Sequence, residues 1–436
     1  MLTLTNARLI DPYNGTDSPG SLTIEGGVIS EVLDDPHGST NGSFRSGKPH
    51  ADASIFDCAG HCLAPGIIDI GAKVCEPGER HKESFRTAGA AAVAGGVTTI
   101  VVRPDTVPAI DSPEILEFVH RRAVQDSQAR VLPMAALTRG RNGREMTEIG
   151  FLMDAGAAAF SDADNVVRDS RVLGRCLSYA AGCNALVIGH VQNPDLSTGT
   201  AATSGAFASK LGLPAVSPIA ERIQLERDMA LVELTGARYH VDQLTTAAAL
   251  PALERARDAG LDVTFGTSIH HLTLNELDVD GYRTFFKVKP PLRNEADRMA
   301  IVEAVADGQI DIISSMHTPQ DEESKRLPYE EAASGAIGLE TLLPAALRLV
   351  HNRSMTMPHL WRCLSLNPAR RLGIDGGRLK AGAPADLVLF DPDKPFVLDR
   401  ATLRSKSKNT PFDGHRMQGR VLRTFVGGKT AFIHDS

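Results

Sequence analysis

The side chains able to do chemistry stand at the ends of short apolar runs. One run, Pro65-Gly66-Ile67-Ile68-Asp69-Ile70-Gly71-Ala72-Lys73-Val74-Cys75-Glu76-Pro77-Gly78, leaves a Pro-Gly turn, reads as a buried strand and ends in polar residues. Lys73 puts a cation there and Cys75 a thiol. A thiol near a cation is activated as a nucleophile, although a small buried thiol is the commoner role. Carboxylates end two other runs, as Asp105 in Arg103-Pro104-Asp105-Thr106 and as Asp162 in Ser161-Asp162-Ala163-Asp164. Lys73 is expected either to pair with Asp162 or Asp105, building a fixed cation into the site, or to reach solvent. Histidines occupy comparable places: His190 in Gly189-His190-Val191-Gln192, His270-His271-Leu272, and His317 in Ser315-Met316-His317-Thr318-Pro319. Imidazoles and carboxylates are the material of acid–base catalysis and of zinc sites. A lone histidine at a strand end is more often a hydrogen-bonded core group than a ligand, so His190 and His317 carry little weight alone. His270 and His271, as neighbours in a strand, would face opposite sides and read as structural.

Eight apolar strand candidates position these groups: residues 67–72, 98–103, 130–137, 157–161, 185–191, 239–244, 263–267 and 310–315. Helical patterns lie between most of them. Ser112-Pro113-Glu114 opens a helix with a cap, a first-turn proline and a first-turn acid. Ser217-Pro218 opens another that runs to Gly236, and Asn294 caps a third that ends before Gly308. Parallel strands need crossover connections, so this alternation predicts a (β/α)8 barrel of the TIM type. The chain ends differ. Residues 2–33 read as short strands with a Gly26-Gly27 hairpin, 34–53 as a polar surface insertion, and 373–436 as strands again. The simplest assembly is a small composite β-sandwich from both ends, giving segments 1–64, 65–372 and 373–436.

With 42% hydrophobic and 23% charged residues, 436 residues supply a large core of ordinary composition. The net charge of −7 offers no basic face to nucleic acid or anionic lipid. No apolar run is long enough for a bilayer, and no signal peptide is expected from Met1-Leu2-Thr3-Leu4-Thr5-Asn6. Six cysteines without a CxxC pair suggest reduced thiols and a cytoplasmic protein.

The Pro65–Gly78 stretch resembles the first barrel strand of the amidohydrolase superfamily, in its dihydroorotase branch. There the pattern is Pro-Gly-hydrophobic-hydrophobic-Asp, His-x-His, an Arg and Glu-Pro-Gly. The resemblance continues through Lys287-Val288-Lys289-Pro290-Pro291-Leu292-Arg293, Gly338-Leu339-Glu340-Thr341 and Ser405-Lys406-Ser407-Lys408-Asn409-Thr410-Pro411-Phe412. It spans nearly the whole chain. It implies a barrel closed by a composite domain, and a hydrolytic metal site at the barrel mouth in catalytic members.

Carried over residue by residue, that site is degenerate. Gly71 and Lys73 stand at the two strand-one histidine ligands, and Cys75 at the substrate-binding Arg. Gln243 stands at the strand-six histidine, and Met316 at the strand-eight aspartate that serves as general acid/base. Asp162 and His190 remain as remnants of the ligand set, with two family acids to match on strand four: either Asp162 is the ligand, or the ligand is the acid that Ala163 replaces. Asp105 and Lys289 each replace an Asn, and Gln320 lies where a histidine often follows. The vestigial pocket is therefore Lys73, Cys75, Asp105, Asp162, His190, Gln243, Lys289, Met316 and His317. Neither a metal nor a catalytic group is expected. The resemblance points to the non-catalytic dihydroorotase-like chain that some bacteria need for assembly of aspartate carbamoyltransferase in pyrimidine synthesis. That implies the carbamoyltransferase catalytic chain as partner, in a homo- or hetero-oligomer. Two alternatives stand beside it: an active zinc-dependent dihydroorotase or cyclic-amide hydrolase with an atypical site, and an effector module in which Lys73 and Lys289 hold an anionic pyrimidine precursor.

Overall fold

The computed structural model describes residues 1–34 and 54–434. All eight expected strands are present, mostly with trimmed ends: Ile67–Ala72, Val97–Val102, Arg130–Ala135, Ala159–Phe160, Leu186–Gly189, Arg238–Val241, Val263–Ser268 and Ile312–Ser314. Each pairs in parallel with the next in sequence order, as barrel strands one to eight. Both faces are buried, and alternation decides which way each side chain goes. Ile70, Val101, Met134, Leu186, Ile188 and Ile312 share one small core. Their neighbours Ile100, Val102, Val187 and Ile313 join the large cluster packed with the helices.

The seam between the eighth strand and the first is held by a side chain. The buried Asp69 carboxylate accepts from the Ser315 backbone N–H at 2.6 Å and the Ser315 hydroxyl at 2.5 Å. One step further, the Lys73 N–H donates to the His317 carbonyl at 2.8 Å. This closure places residues 71–73 beside residues 316–317 at the mouth.

Pro113–Asp126 starts directly after Ser112 with its first-turn proline and Glu114, but the expected cap fails: the Ser112 side chain makes no capping hydrogen bond. Ile219–Thr235 stops at Gly236, whose φ of +68° suits a residue without Cβ. Asn294 caps Glu295–Ala306 by accepting from the Asp297 N–H. The His270-His271 pair departs from expectation. It lies in a short helix, Ile269–Thr273, so the opposite-face reading does not apply. Both rings are nevertheless buried. Burial lowers His270 to a pKa of about 4 and His271 to about 3, leaving both neutral at physiological pH. His270 stacks on Phe412 at 6.0 Å, and His271 Nε2 lies 3.1 Å from the Pro290 carbonyl.

The chain ends meet in one sheet. Its path runs Lys429–Ile433, Arg416–Val426, Leu387–Val397, Cys62–Pro65, Leu2–Asp11, Thr16–Glu25, Val28–Asp34, with Ser54–Asp57 also paired to Leu2–Asp11. The two short N-terminal runs form one strand with a register shift between Leu4 and Ala7. Leu4, Leu9, Leu22, Leu387, Leu389 and Phe425 form a separate core. Apart from Asp34, the expected polar insertion lies outside the described residues. Among the described residues, no helix is long and apolar enough to cross a membrane.

Candidate functional site

Strands one, two and eight form one half of the mouth, and it is filled. Gly71 has a φ of +104°, and a Cβ built there would lie 2.9 Å from Met316 Sδ. The Met316 side chain is itself buried, at 6% exposure. A larger residue at 71 would therefore compete with Met316 for this space and force its thioether end to shift. The thioether occupies space that a strand-one side chain would need, and it carries no proton to exchange near neutral pH.

Lys73 turns to strand two. Its Nζ lies 3.3 Å from Asp105 Oδ2 and 3.5 Å from Glu79 Oε2, so of the expected partners it takes Asp105 and not Asp162. Arg103 closes the cluster with two hydrogen bonds to Asp105, Nε at 3.3 Å and Nη2 at 3.0 Å. Burial works against every charge here, but the partners outweigh it. Asp105 is held below the usual carboxylate range by Arg103 and Lys73, and Lys73 is raised chiefly by Asp105. Cys75 is fully buried, and burial pushes its thiol up to about 12 despite Lys73 nearby. It stays a protonated packing group, and the nucleophile reading falls.

Strand four brings a correction. The Asp162 carboxylate accepts from the Leu137 N–H at 3.0 Å, the Thr138 N–H at 2.9 Å and the Thr138 hydroxyl. It pins the end of strand three and has no role with Lys73. The acid facing the cations is Asp164, which the sequence reading passed over. Arg141 Nη2 lies 3.2 Å from Asp164 Oδ1, and Lys289 Nζ 3.0 Å from Oδ2. Although burial opposes it, Lys289 and Arg103 hold Asp164 well below the usual carboxylate range. The second acid of Ser161-Asp162-Ala163-Asp164 was the available signal.

The remaining positions are occupied locally. His190 Nδ1 lies 2.9 Å from Asp242 Oδ2, a partner not foreseen, while its buried Nε2 has no hydrogen-bond partner among the described residues. Gln243 Nε2 reaches the Lys289 carbonyl at 3.5 Å. His317 Nδ1 accepts from the Gly338 N–H at 3.2 Å, and its Nε2 lies 3.5 Å from the buried Glu83, which also takes the Ser405 and Thr87 hydroxyls. Gln320 donates to the Ser334 carbonyl at 2.8 Å.

Among the described residues, no group of three or more His, Cys, Asp or Glu side chains is arranged to hold a metal ion. The family's ligand positions do not fit a divalent cation. Gly71 lacks a donor and faces a thioether, Lys73 is itself cationic, Gln243 is an amide and Asp162 is already engaged. The half of the mouth beyond strands three, four and five is different. It opens into a cleft of about 760 Å3, lined by Arg141, Arg144, Asp164, Arg168, His190 and Lys289 among others.

Known proteins resemble this chain throughout. A family described as "Dihydro-orotase-like" matches residues 60–248. The dihydroorotase of Anaplasma phagocytophilum (strain HZ) is 37% identical over 428 residues, covering 98% of this chain and 94% of that protein. The dihydroorotase of Syntrophus aciditrophicus (strain SB) is 35% identical over 432 residues, covering 99% of each. Among solved structures, the L-hydantoinase (dihydropyrimidinase) from Arthrobacter aurescens superposes with a TM-score of 0.87 at 22% identity, covering 98% of this chain and 95% of that one. At that identity the structural likeness concerns fold alone.

Proposed function

The chain belongs to the dihydroorotase-like family, and we propose that it is a non-catalytic member, a cytoplasmic subunit that supports assembly of aspartate carbamoyltransferase in pyrimidine synthesis. The observation that carries the non-catalytic part is the Gly71–Met316 packing. It replaces two groups that metal-dependent hydrolysis needs, a ligand and a titratable acid/base, with one apolar contact. The Lys73–Asp105–Arg103 cluster supports the same reading, because it balances charge beside that contact without a metal. The partner follows from the family resemblance. Its test is co-purification of the two chains at cellular concentration: a stable complex is expected, and separate migration overturns the assembly role.

One observation favours a second reading. The relatives, alike over almost their whole length, are named dihydroorotases. The competing function is interconversion of dihydroorotate and carbamoyl aspartate. Assay of the purified chain with zinc and without partner decides between them: no turnover is expected, and metal-dependent turnover overturns the non-catalytic reading. An effector role resting on Lys73 and Lys289 has lost its free charges, since Asp105 and Asp164 already pair with them.

A further inference from the structure

Away from the mouth, a second cavity of about 360 Å3 lies where the C-terminal strands meet the side of the barrel. Its walls come from the end of Leu387–Val397 and the segment after it, from Arg416–Val426 and Lys429–Ile433, and from the start of the helix Leu342–His351. Pro344, Phe396, Leu398, Leu403, Val421 and Phe432 form its apolar lining. It shares no lining residue with the mouth cleft. A cavity of this size, part apolar and with a few polar groups, has small-molecule dimensions.

The fold brings one cation into this cavity and gives it no anion. Gly419 has a φ of +103°, and a Cβ built there would lie 2.3 Å from Leu347 Cδ1, so the strand passes the helix too closely for a side chain. The strand pairing shifts at this glycine, between Gln418 opposite Pro395 and Arg420 opposite Asp391. Such bulges re-aim the neighbouring side chain. Arg420 lines the cavity, with its guanidinium carbon 3.8 Å from the centre of the Phe396 ring. Its Nε is buried and has no hydrogen-bond partner among the described residues. Burial lowers Arg420 below its usual value, and no counter-charge offsets the effect. The carboxylates of the lining are engaged elsewhere. Glu340 accepts from the Arg404 N–H at 2.8 Å and the Ser405 N–H at 3.0 Å, and Asp399 accepts from the Ala401 N–H at 2.8 Å. A buried donor left unmade is costly unless something satisfies it.

We propose that this cavity binds a small monocarboxylate with an apolar body, its carboxylate on the Arg420 guanidinium and its body against Phe396, Leu403 and Val421. With one face stacked on Phe396, the guanidinium keeps its in-plane N–H groups, and that planar fork matches a carboxylate. The apolar lining adds to binding only through hydrocarbon that the ligand brings out of water. No residue of the barrel mouth takes part, so the site stands or falls apart from both the non-catalytic reading and the assembly role.

The test is calorimetric titration of the full chain with phenylacetate, set against phenylacetamide, which lacks the charge, and acetate, which lacks the body. Saturable binding of phenylacetate is expected, with each control weaker by about tenfold or more. In arginine-labelled protein, the Arg420 Nε–H resonance should move on titration, a readout that needs no variant. Arg420→Gln should weaken binding by about tenfold or more, the order of one charge-assisted hydrogen bond. Arg144→Ala, at the mouth, should leave it unchanged. The proposal is overturned if phenylacetate does not saturate at millimolar concentration, or if it leaves the Arg420 resonance in place. It is equally overturned if either control binds as tightly, if Arg420→Gln binds as the unaltered chain does, or if binding follows Arg144 and not Arg420.

Discussion

The two halves of the barrel mouth contrast in how they handle polar and charged groups. Around strands one, two and eight, the charged groups pair within the chain and the mouth is packed: Met316 packs on Gly71, and Lys73 and Arg103 share Asp105. Around strands three to five, a cleft stays open, and among the described residues Arg144 has no carboxylate partner and His190 Nε2 no hydrogen-bond partner. The difference teaches that residues at family ligand positions cannot be judged singly. Gly71 alone reads as a loss, and Met316 alone reads as a loss. Together they form a contact that needs neither ligand nor acid, so the closed half is a packed solution with its own stability. Breaking that contrast means showing that the closed half tolerates change or that the open half does not.

The largest effect is expected at Asp105. Asp105→Asn leaves Lys73 and Arg103 with their shared counter-charge removed, at 15% and 10% side-chain exposure. Breaking a buried pair by deleting one partner costs about 3–5 kcal/mol, which chemical denaturation will read. The pH dependence follows from the directions of the shifts. Asp105 titrates lower in the folded chain than unfolded, so its contribution is complete above the ordinary aspartate range near about 4 and is lost as pH falls through the folded value. Lys73 titrates higher when folded, so its contribution is complete below about 10 and is lost as pH rises beyond the folded value. The unaltered chain should hold this stabilisation between those limits, and Asp105→Asn should flatten the acid limb. An unchanged acid limb would mean that the cluster is not a buried ion network.

A smaller effect is expected at Gly71. Gly71→Ala combines a left-handed φ of +104° with a contact 2.9 Å from Met316 Sδ, at a cost of about 2–3 kcal/mol. Because the methionine end can yield, the double variant Gly71→Ala, Met316→Ala should lose less than the two single losses added. Strict additivity, measured as a double-mutant cycle, would show that the two residues do not share the space.

How far the sequence shows this depends on the range of the interaction. The barrel was legible because strand burial on both faces writes itself as apolar runs, and helix starts as Ser-Pro or Asn caps. The outline of the closed half was legible only in part through motif positions: Lys73 was expected either near Asp105 or Asp162 or reaching to solvent, and it pairs with Asp105. What decided between those acids was loop geometry. Asp162 is consumed by Leu137 and Thr138, 25 and 24 residues upstream, and nothing in Ser161-Asp162-Ala163-Asp164 says which acid turns inward. The Asp242 partner of His190 and the contact of Glu79 with Lys73 were missed for the same reason. Met316 was read as a lost acid, but its contact with Gly71 joins residues at opposite ends of the barrel's sequence.

The smallest effects are expected where the contrast is sharpest. Cys75, buried with its thiol pushed up to about 12, should react with iodoacetamide no faster than free cysteine. Arg144→Ala, in the open half and free of ligand, should change unfolding stability by no more than about 0.5 kcal/mol, the range for surface positions without special features. That small number matters because it sits on the same barrel mouth as the Asp105 loss of several kcal/mol. If Arg144→Ala instead destabilised the chain by as much as Asp105→Asn does, the open half would also be a packed solution. The cleft would then be a gap between structural contacts, and the free arginine would be holding loops together. If the two values differ as expected, the chain has invested its packing in one half and left the other available to a ligand.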